Sequence, residues 1–332
     1  MKNILTILSL AFILTSCKSN AQKNKSLNEE KTKQSDVILY RNIDWISFEW
    51  KESVIGKDTL RYGAMEIITY IKGIDQKLGM QFDLGSANSA IYEIPLKEII
   101  KDSLQYPFNV NWLEKENFAD IDSYSISDLI LSTKSYKFKN LAPKLLKDYG
   151  VIEQSNIPHI GTIGLDAVKD KFVIIDYQNK KIGITDILPE RISEKVNFID
   201  FEKTEIEQTI FKIKLDDEKF NVLFDTGSSS WTIITGESKF NESLGSSKIK
   251  LDSIEVSSWG KKDFFYKSPI NKTISIAGKQ FSNVKGYFFK DNEISSYLHN
   301  NDIIAIIGNR IFMDNNNTII INFKNKQFGI VK

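Results

Sequence analysis

Two stretches decide the reading of this chain: Phe82-Asp83-Leu84-Gly85-Ser86 and Phe224-Asp225-Thr226-Gly227-Ser228. Each sets an Asp behind an apolar strand and ahead of a tight turn, and the two lie 142 residues apart. A lone Asp-x-Gly marks an ordinary turn. The doubling carries the weight, and it extends well past the loops. Gly161-Thr162-Ile163-Gly164-Leu165 follows the first motif and Ala305-Ile306-Ile307-Gly308-Asn309 the second, each closing an apolar triplet with glycine. Phe138-Lys139-Asn140 keeps step with Phe281-Ser282-Asn283, and Lys181-Ile182-Gly183-Ile184 with Gln327-Phe328-Gly329-Ile330. Four anchors at nearly constant separation describe an internal duplication.

The loops have a local logic. A backbone that reverses sharply while aiming amide N–H groups at a carboxylate needs residues without a Cβ, here Gly85 and Gly227. Ser86 and Ser228, three residues past each Asp, are placed to donate to the outer carboxylate oxygens and hold the two groups coplanar. The triplets ending in Gly164 and Gly308 are expected to pack beneath these turns. Elsewhere, short Val-, Ile-, Phe- and Tyr-rich runs alternate with turn dipeptides, which reads as strands. Lys171–Tyr177 and Thr318–Phe323 are each followed by a Lys/Asn turn and a second short strand, giving two β-hairpins. Leu96–Leu104 and Pro143–Tyr149 are the best stretches for short helices. The expected fold is all-β, with two homologous β-barrel-like lobes and a cleft between them.

The amino terminus bears on compartment. Lys2 precedes an apolar run from Ile4 to Leu14, shorter than the ~20 residues that span a bilayer as a helix. It ends in Leu14-Thr15-Ser16-Cys17, which resembles a bacterial lipoprotein signal with Cys17 as the acylated residue. That resemblance implies a signal peptide over 1–17 and a membrane attachment through lipid. Lys18 after the cysteine favours the outer membrane of a Gram-negative envelope. Residues 18–36 are polar and rich in Lys, Asn and Ser, a composition suited to a flexible tether. The lobes are then expected over 37–195 and 196–332.

Composition excludes several functions. With 44 basic and 43 acidic side chains the chain has no global field for nucleic acid. Lys180-Lys181 and Lys324-Asn325-Lys326 read as hairpin tips. Cys17 is the only cysteine, and His159 and His299 are the only histidines, too few for a thiol, zinc or Ser–His–Asp centre in the folded part. His159 precedes the first apolar triplet and His299 is read into a polar loop. Phe264-Phe265-Tyr266 and Tyr287-Phe288-Phe289 read as strand cores.

Over nearly the whole length after the tether, the chain resembles the pepsin-type aspartic proteases. Tyr62-Gly63 through Phe82-Asp83-Leu84-Gly85-Ser86 is similar to the family's first strand and catalytic loop, and Ile306-Ile307-Gly308-Asn309 through Gln327-Phe328-Gly329-Ile330 to its closing segment. The resemblance implies a peptide or protein substrate, a monomer, no cofactor, and hydrolysis by general acid–base catalysis between Asp83 and Asp225. Two carboxylates about 3 Å apart cannot both ionise and hold one shared proton, aspartic proteases being the general example of that rule. Symmetry leaves open which Asp is the base. Tyr124, 41 residues past Asp83, is the candidate for the tyrosine of the family's flap. Two positions depart from the pattern. Leu84 stands where the family has Thr or Ser, so one of two hydroxyls bracing the opposite loops is lost while Thr226 is kept. Asn309 stands where the family usually has Asp and is not expected to touch the dyad. The departure at Leu84 supports an alternative: a pepsin-like pseudoenzyme that keeps its cleft for peptide or ligand binding at the envelope.

Overall fold

The computed structural model describes residues 43–332 except 56–57, 102–104, 119, 140, 250–251 and 259–260. The signal peptide, Cys17, the tether and residues 37–42 of the expected first lobe lie outside the described residues. So do Leu104 and Asn140. Among the described residues the chain is mostly β, its strands joined by hydrogen bonds into one mixed network, and no helix is long and apolar enough to cross a membrane. Among these residues the longest α-helix, Glu293–Asn300, has 8 residues.

One small motif occurs twice. Strand Leu78–Phe82 runs parallel to His159–Ile163, and Ala90–Tyr92 pairs antiparallel with the same central strand. Strand Glu218–Phe224 runs parallel to Ile303–Ile307, which also pairs antiparallel with Ile233–Gly236. Strands Leu78–Phe82 and Ile303–Ile307 are buried on every residue, Gln81 included, as strands covered on both faces are. The parallel register ends with Phe82 beside Ile163 and Phe224 beside Ile307. It carries on into the loops, where Asp83 N–H donates to Ile163 O at 2.9 Å and Asp225 N–H to Ile307 O at 3.0 Å. The glycines closing the triplets lie under the turns as expected: a Cβ on Gly308 would sit 2.0 Å from Ser228 O, and one on Gly164 2.8 Å from Ser86 O.

A second element joins the halves. Strands Asp44–Ile55, Lys181–Thr185 and Phe172–Asp176 pair in that order, then Thr318–Asn322, Gln327–Val331 and Val196–Lys203, all antiparallel. Each half supplies three of these six strands. Their seam runs between Phe172–Asp176 and Thr318–Asn322, with Ile174 opposite Ile320. Alternation puts Ile174 and Ile320 with Ile43, Ile192 and Val196 on one face, and Val173, Ile175, Ile319 and Ile321 in the main core on the other. Both hairpins read from the sequence are present. Asn179 N–H donates to Asp176 Oδ1 at 3.0 Å in the first turn, and Lys180 and Lys326 take positive φ of 52° and 53° at equivalent positions. Lys180 and Lys324 to Lys326 are exposed, as hairpin tips are.

Three local expectations fail. Pro143–Tyr149 is not a helix: Lys144–Leu146 is a strand, parallel to Ala90–Tyr92 and antiparallel to Ser123–Ser125, so sheet pairing on both edges overrides a weak helical pattern. His299 lies in the last turn of helix Glu293–Asn300 rather than in a loop. The helix starts on a capping box between Asn292 and Ser295. The first helix is Glu93–Ile99, which begins three residues before the expected Leu96. Of the aromatic clusters, Phe265, Phe288 and Phe289 are buried as strand cores should be, while Phe264 is half exposed.

The seam sets stability. Ile320→Ala removes a fully buried side chain from its centre and should destabilise by about 2–5 kcal/mol, read as a lower urea midpoint at unchanged slope. A loss below about 1 kcal/mol would mean that the seam is plastic.

Candidate active site

Asp83 and Asp225 each follow the buried end of a parallel strand, so the repeated motif brings the two loops face to face. Thr226 ties them. Its Oγ1 accepts from Leu84 N–H at 2.7 Å and donates to Phe82 O at 3.1 Å, crossing from the second loop to the first. Gly85 and Gly227 explain why no side chain fits between. A Cβ on Gly85 would lie 2.2 Å from Asp225 Oδ1, and one on Gly227 2.7 Å from the Asp83 carboxyl carbon. Each loop therefore presses its glycine backbone against the other loop's carboxyl group.

The donors are unequal. Gly85 N–H reaches Asp83 Oδ1 at 2.8 Å and Gly227 N–H reaches Asp225 Oδ1 at 2.7 Å, a matched pair. Ser228 Oγ then donates to Asp225 Oδ2 at 2.9 Å. Ser86 does not do the same. Its hydroxyl turns to Asn88 O at 2.8 Å, which corrects the expectation that both serines serve the carboxylates. Asp83 Oδ2 is buried without a donor of its own, leaving the neighbouring carboxyl as its natural partner.

Asp83 and Asp225 are 0% and 1% exposed, and this burial pushes both carboxyls upward. For Asp83 the nearby charge of Asp225 adds to the rise, taking it well above the ordinary carboxylate range. For Asp225 the hydrogen bonds from Asp83, from the Ser228 hydroxyl and from the loop amides work against burial. Burial and mutual repulsion therefore disfavour the doubly ionised state, and the two carboxyls titrate as a pair.

The neighbours include residues that the sequence did not single out. Asn309 touches neither carboxyl, as expected, but braces the second loop: Nδ2 donates to Thr226 O at 2.8 Å and to Ser229 Oγ at 2.9 Å, while Oδ1 accepts from the buried Tyr177 hydroxyl at 2.7 Å. An Asp there would accept from Tyr177 yet could not donate to Thr226 O. Leu84 is 1% exposed and belongs to the main apolar core, so the position that lacks a hydroxyl contributes packing instead. Tyr92 is fully buried near Asp83, its hydroxyl sharing a 2.7 Å hydrogen bond with Thr162. Gln81 Nε2 lies 3.4 Å from Gly227 O, and Gln208 Nε2 lies 2.8 Å from Gly85 O. Gln81, between Met80 and Phe82, is a signal the sequence offered and the strand pattern concealed, whereas Gln208, between Glu207 and Thr209, gave none.

The flap candidate Tyr124 is on strand Ile121–Ser127, the second strand of a hairpin with Asn109–Phe118. It is buried, and Trp112 packs on its ring at 4.8 Å between centroids. His159 is drawn into an ion-pair cluster instead of a catalytic one, its Nδ1 lying 2.9 Å from Glu66 while Lys51 holds Glu66 at 3.2 Å and Glu153 at 2.7 Å. A cavity of about 650 Å³ lined by Ile199, Phe201, Lys212 and Ile213 includes neither aspartate.

Neither a protein-family model nor a curated protein matches this chain.

Carboxyls that titrate higher in the folded than in the unfolded chain add stability below the ordinary carboxylate range, and that contribution is lost as the pH rises through their folded values. Asp83→Asn removes the group with the larger rise. It should raise the thermal midpoint near pH 8 by more than near pH 3.5. Equal midpoint changes at both pH values would show that the Asp83 carboxyl is not displaced in the folded state.

Proposed function

We propose that this chain is an aspartic-type endopeptidase of pepsin-like, two-lobed build. The observation that carries the reading is the pair of buried carboxyls, one from each copy of a duplicated loop, each near enough to shift the other's titration. The repeated strand motif and the six-stranded sheet built three and three from the halves support the same architecture. On sequence grounds we assign the activity to the bacterial envelope, attached through lipid on Cys17 and acting on peptide or protein substrates.

The unequal donors set the roles. Asp225, held as the anion, takes a proton from a water molecule placed between the carboxyls as its oxygen attacks the peptide carbonyl carbon. Asp83 gives its proton to the carbonyl oxygen, forming a neutral tetrahedral diol. Collapse returns a hydroxyl proton to Asp83 and passes the proton on Asp225 to the leaving nitrogen. The C–N bond breaks, an acid and an amine depart, and both carboxyls regain their starting states. Because the pair is almost wholly covered, turnover also includes a step that opens the site to substrate.

A second reading has its own observation. Leu84 packs into the core and half of the cross-loop hydroxyl brace is missing, as in a pseudoenzyme that retains a peptide- or ligand-binding cleft without turnover. A net hydrogen bond is worth ~0.5–1.5 kcal/mol, too little to abolish the proton chemistry of the pair by itself.

The purified chain should cleave an unfolded protein at mildly acidic pH, and Asp83→Asn and Asp225→Asn should each abolish cleavage. The requirement for a protonated Asp83 should extend the alkaline limb of the pH profile above the ordinary carboxylate range. Cleavage that survives both substitutions would sink the dyad assignment, and an inactive parent from about pH 3 to about pH 8 would favour the binding protein. Leu84→Thr should restore the second brace and raise turnover. An unchanged or lower rate would mean that the leucine is already compensated.

A further inference from the structure

Two buried amides meet the catalytic loops from opposite sides. Gln81 stands on strand Leu78–Phe82, two residues before Asp83, and donates to Gly227 O in the second loop at 3.4 Å. Gln208 stands just ahead of strand Thr209–Leu215 and donates to Gly85 O in the first loop at 2.8 Å. Both side chains are buried. Duplication does not generate this symmetry: at the loop offset of 142, Gln81 corresponds to Leu223 and Gln208 to Glu66. Two side chains from non-equivalent positions have thus come to rest on equivalent glycine carbonyls.

We propose that Gln81 and Gln208 are positioning residues forming a reciprocal amide clasp, each holding the glycine peptide that faces a carboxyl of the dyad; this rests on reading the dyad as a proton-sharing pair. The chemistry lies in the peptide unit. Gly85 C=O and Ser86 N–H belong to one peptide, and Gly227 C=O and Ser228 N–H to its counterpart. The N–H groups of Ser86 and Ser228 close each turn on the main-chain carbonyls of Asp83 and Asp225, at 3.3 Å each, directly beneath the carboxyls whose ionised forms they favour. A hydrogen bond into the carbonyl polarises the peptide and strengthens the N–H at its other end. The clasp therefore sets both the spacing of the loops and the charge each can hold.

The two amides do different work. By the internal repeat, a hydroxyl at position 84 would cross from the first loop to the second, mirroring Thr226. Gln81 makes that crossing in its place. Gln208 reinforces the direction already served by Thr226, and its own position is fixed by Gln208 N–H donating to Thr204 Oγ1 at 3.1 Å and by the Tyr297 hydroxyl at 3.4 Å from Oε1. The other titratable groups here fall outside the range of the pair. Glu66, the cross-strand partner of Gln81, is held below the ordinary carboxylate range by His159 and Lys51 in spite of its burial, whereas burial raises Tyr92 and Tyr297.

The test is an NMR titration of the intact chain carrying ¹³C at the Asp carboxyl carbons, which reads the dyad whether or not peptide is cleaved. Gln208→Met keeps the volume and removes the amide; it should raise the upper apparent pKa of the pair by about half a unit or more. Gln81→Met should raise the lower one by a similar amount, and adding Leu84→Thr should reverse that change but not the change from Gln208→Met. If either Met variant fails to fold, Gln208→Asn and Gln81→Asn shorten the reach by one methylene and carry the same expectation. A displaced pair in the parent that none of these variants moves, with a fall in thermal midpoint alone, would overturn the clasp and leave the dyad standing. Two independent carboxyls with ordinary values in the parent would overturn the shared-proton reading beneath it.

Discussion

Two carboxyl groups buried against one another are the constraint on which the rest of this structure depends. Neither can ionise freely out of water, and both cannot ionise together. The molecule meets the conflict with donors on each carboxyl: the Gly85 amide on Asp83, and the Gly227 amide with the Ser228 hydroxyl on Asp225. Each glycine backbone lies so close to the other loop's carboxyl that a Cβ is excluded. The glycines, the parallel strands beneath them and the closing glycines at 164 and 308 follow from that demand.

Where the two halves differ, the difference bears on chemistry. The duplicated frame alone would give two interchangeable carboxyls. Ser228 bonds its Asp, Ser86 turns away, Thr226 spans the loops and Leu84 joins the core. The two carboxyls therefore sit among unlike donors. The cost of that inequality is kept small because the apolar replacement at Leu84 leaves no polar side chain unsatisfied at that position.

The sequence made the frame legible because glycine and alternating apolar runs report backbone geometry, and backbone geometry is what the duplication copied. The paired hairpins and both Asp loops came through for that reason. Side-chain direction did not. Ser86 and Ser228 have the same residue type and spacing, yet their rotamers diverge because Asn88 O competes for one of them. Gln81 was hidden inside Leu78-Gly79-Met80-Gln81-Phe82, where a strand pattern reads a polar residue as facing water, although this strand is buried on both faces. Pro143–Tyr149 failed for the opposite reason, since pairing on two edges made a strand from a segment with little strand character.

The seam of the six-stranded sheet has a consequence for how the chain is made. Strand Phe172–Asp176 gains its neighbour on one side early, from Lys181–Thr185, but its partner on the other side is Thr318–Asn322. For the synthesis of some 140 residues it remains an isoleucine-rich strand with one open edge, the kind of edge that recruits other chains. The hairpin of Thr318–Asn322 and Gln327–Val331, made that much later, is therefore the one that seals the first half. A chain halted just short of it would be trapped as a sticky intermediate, with every residue of its first Asp loop already made.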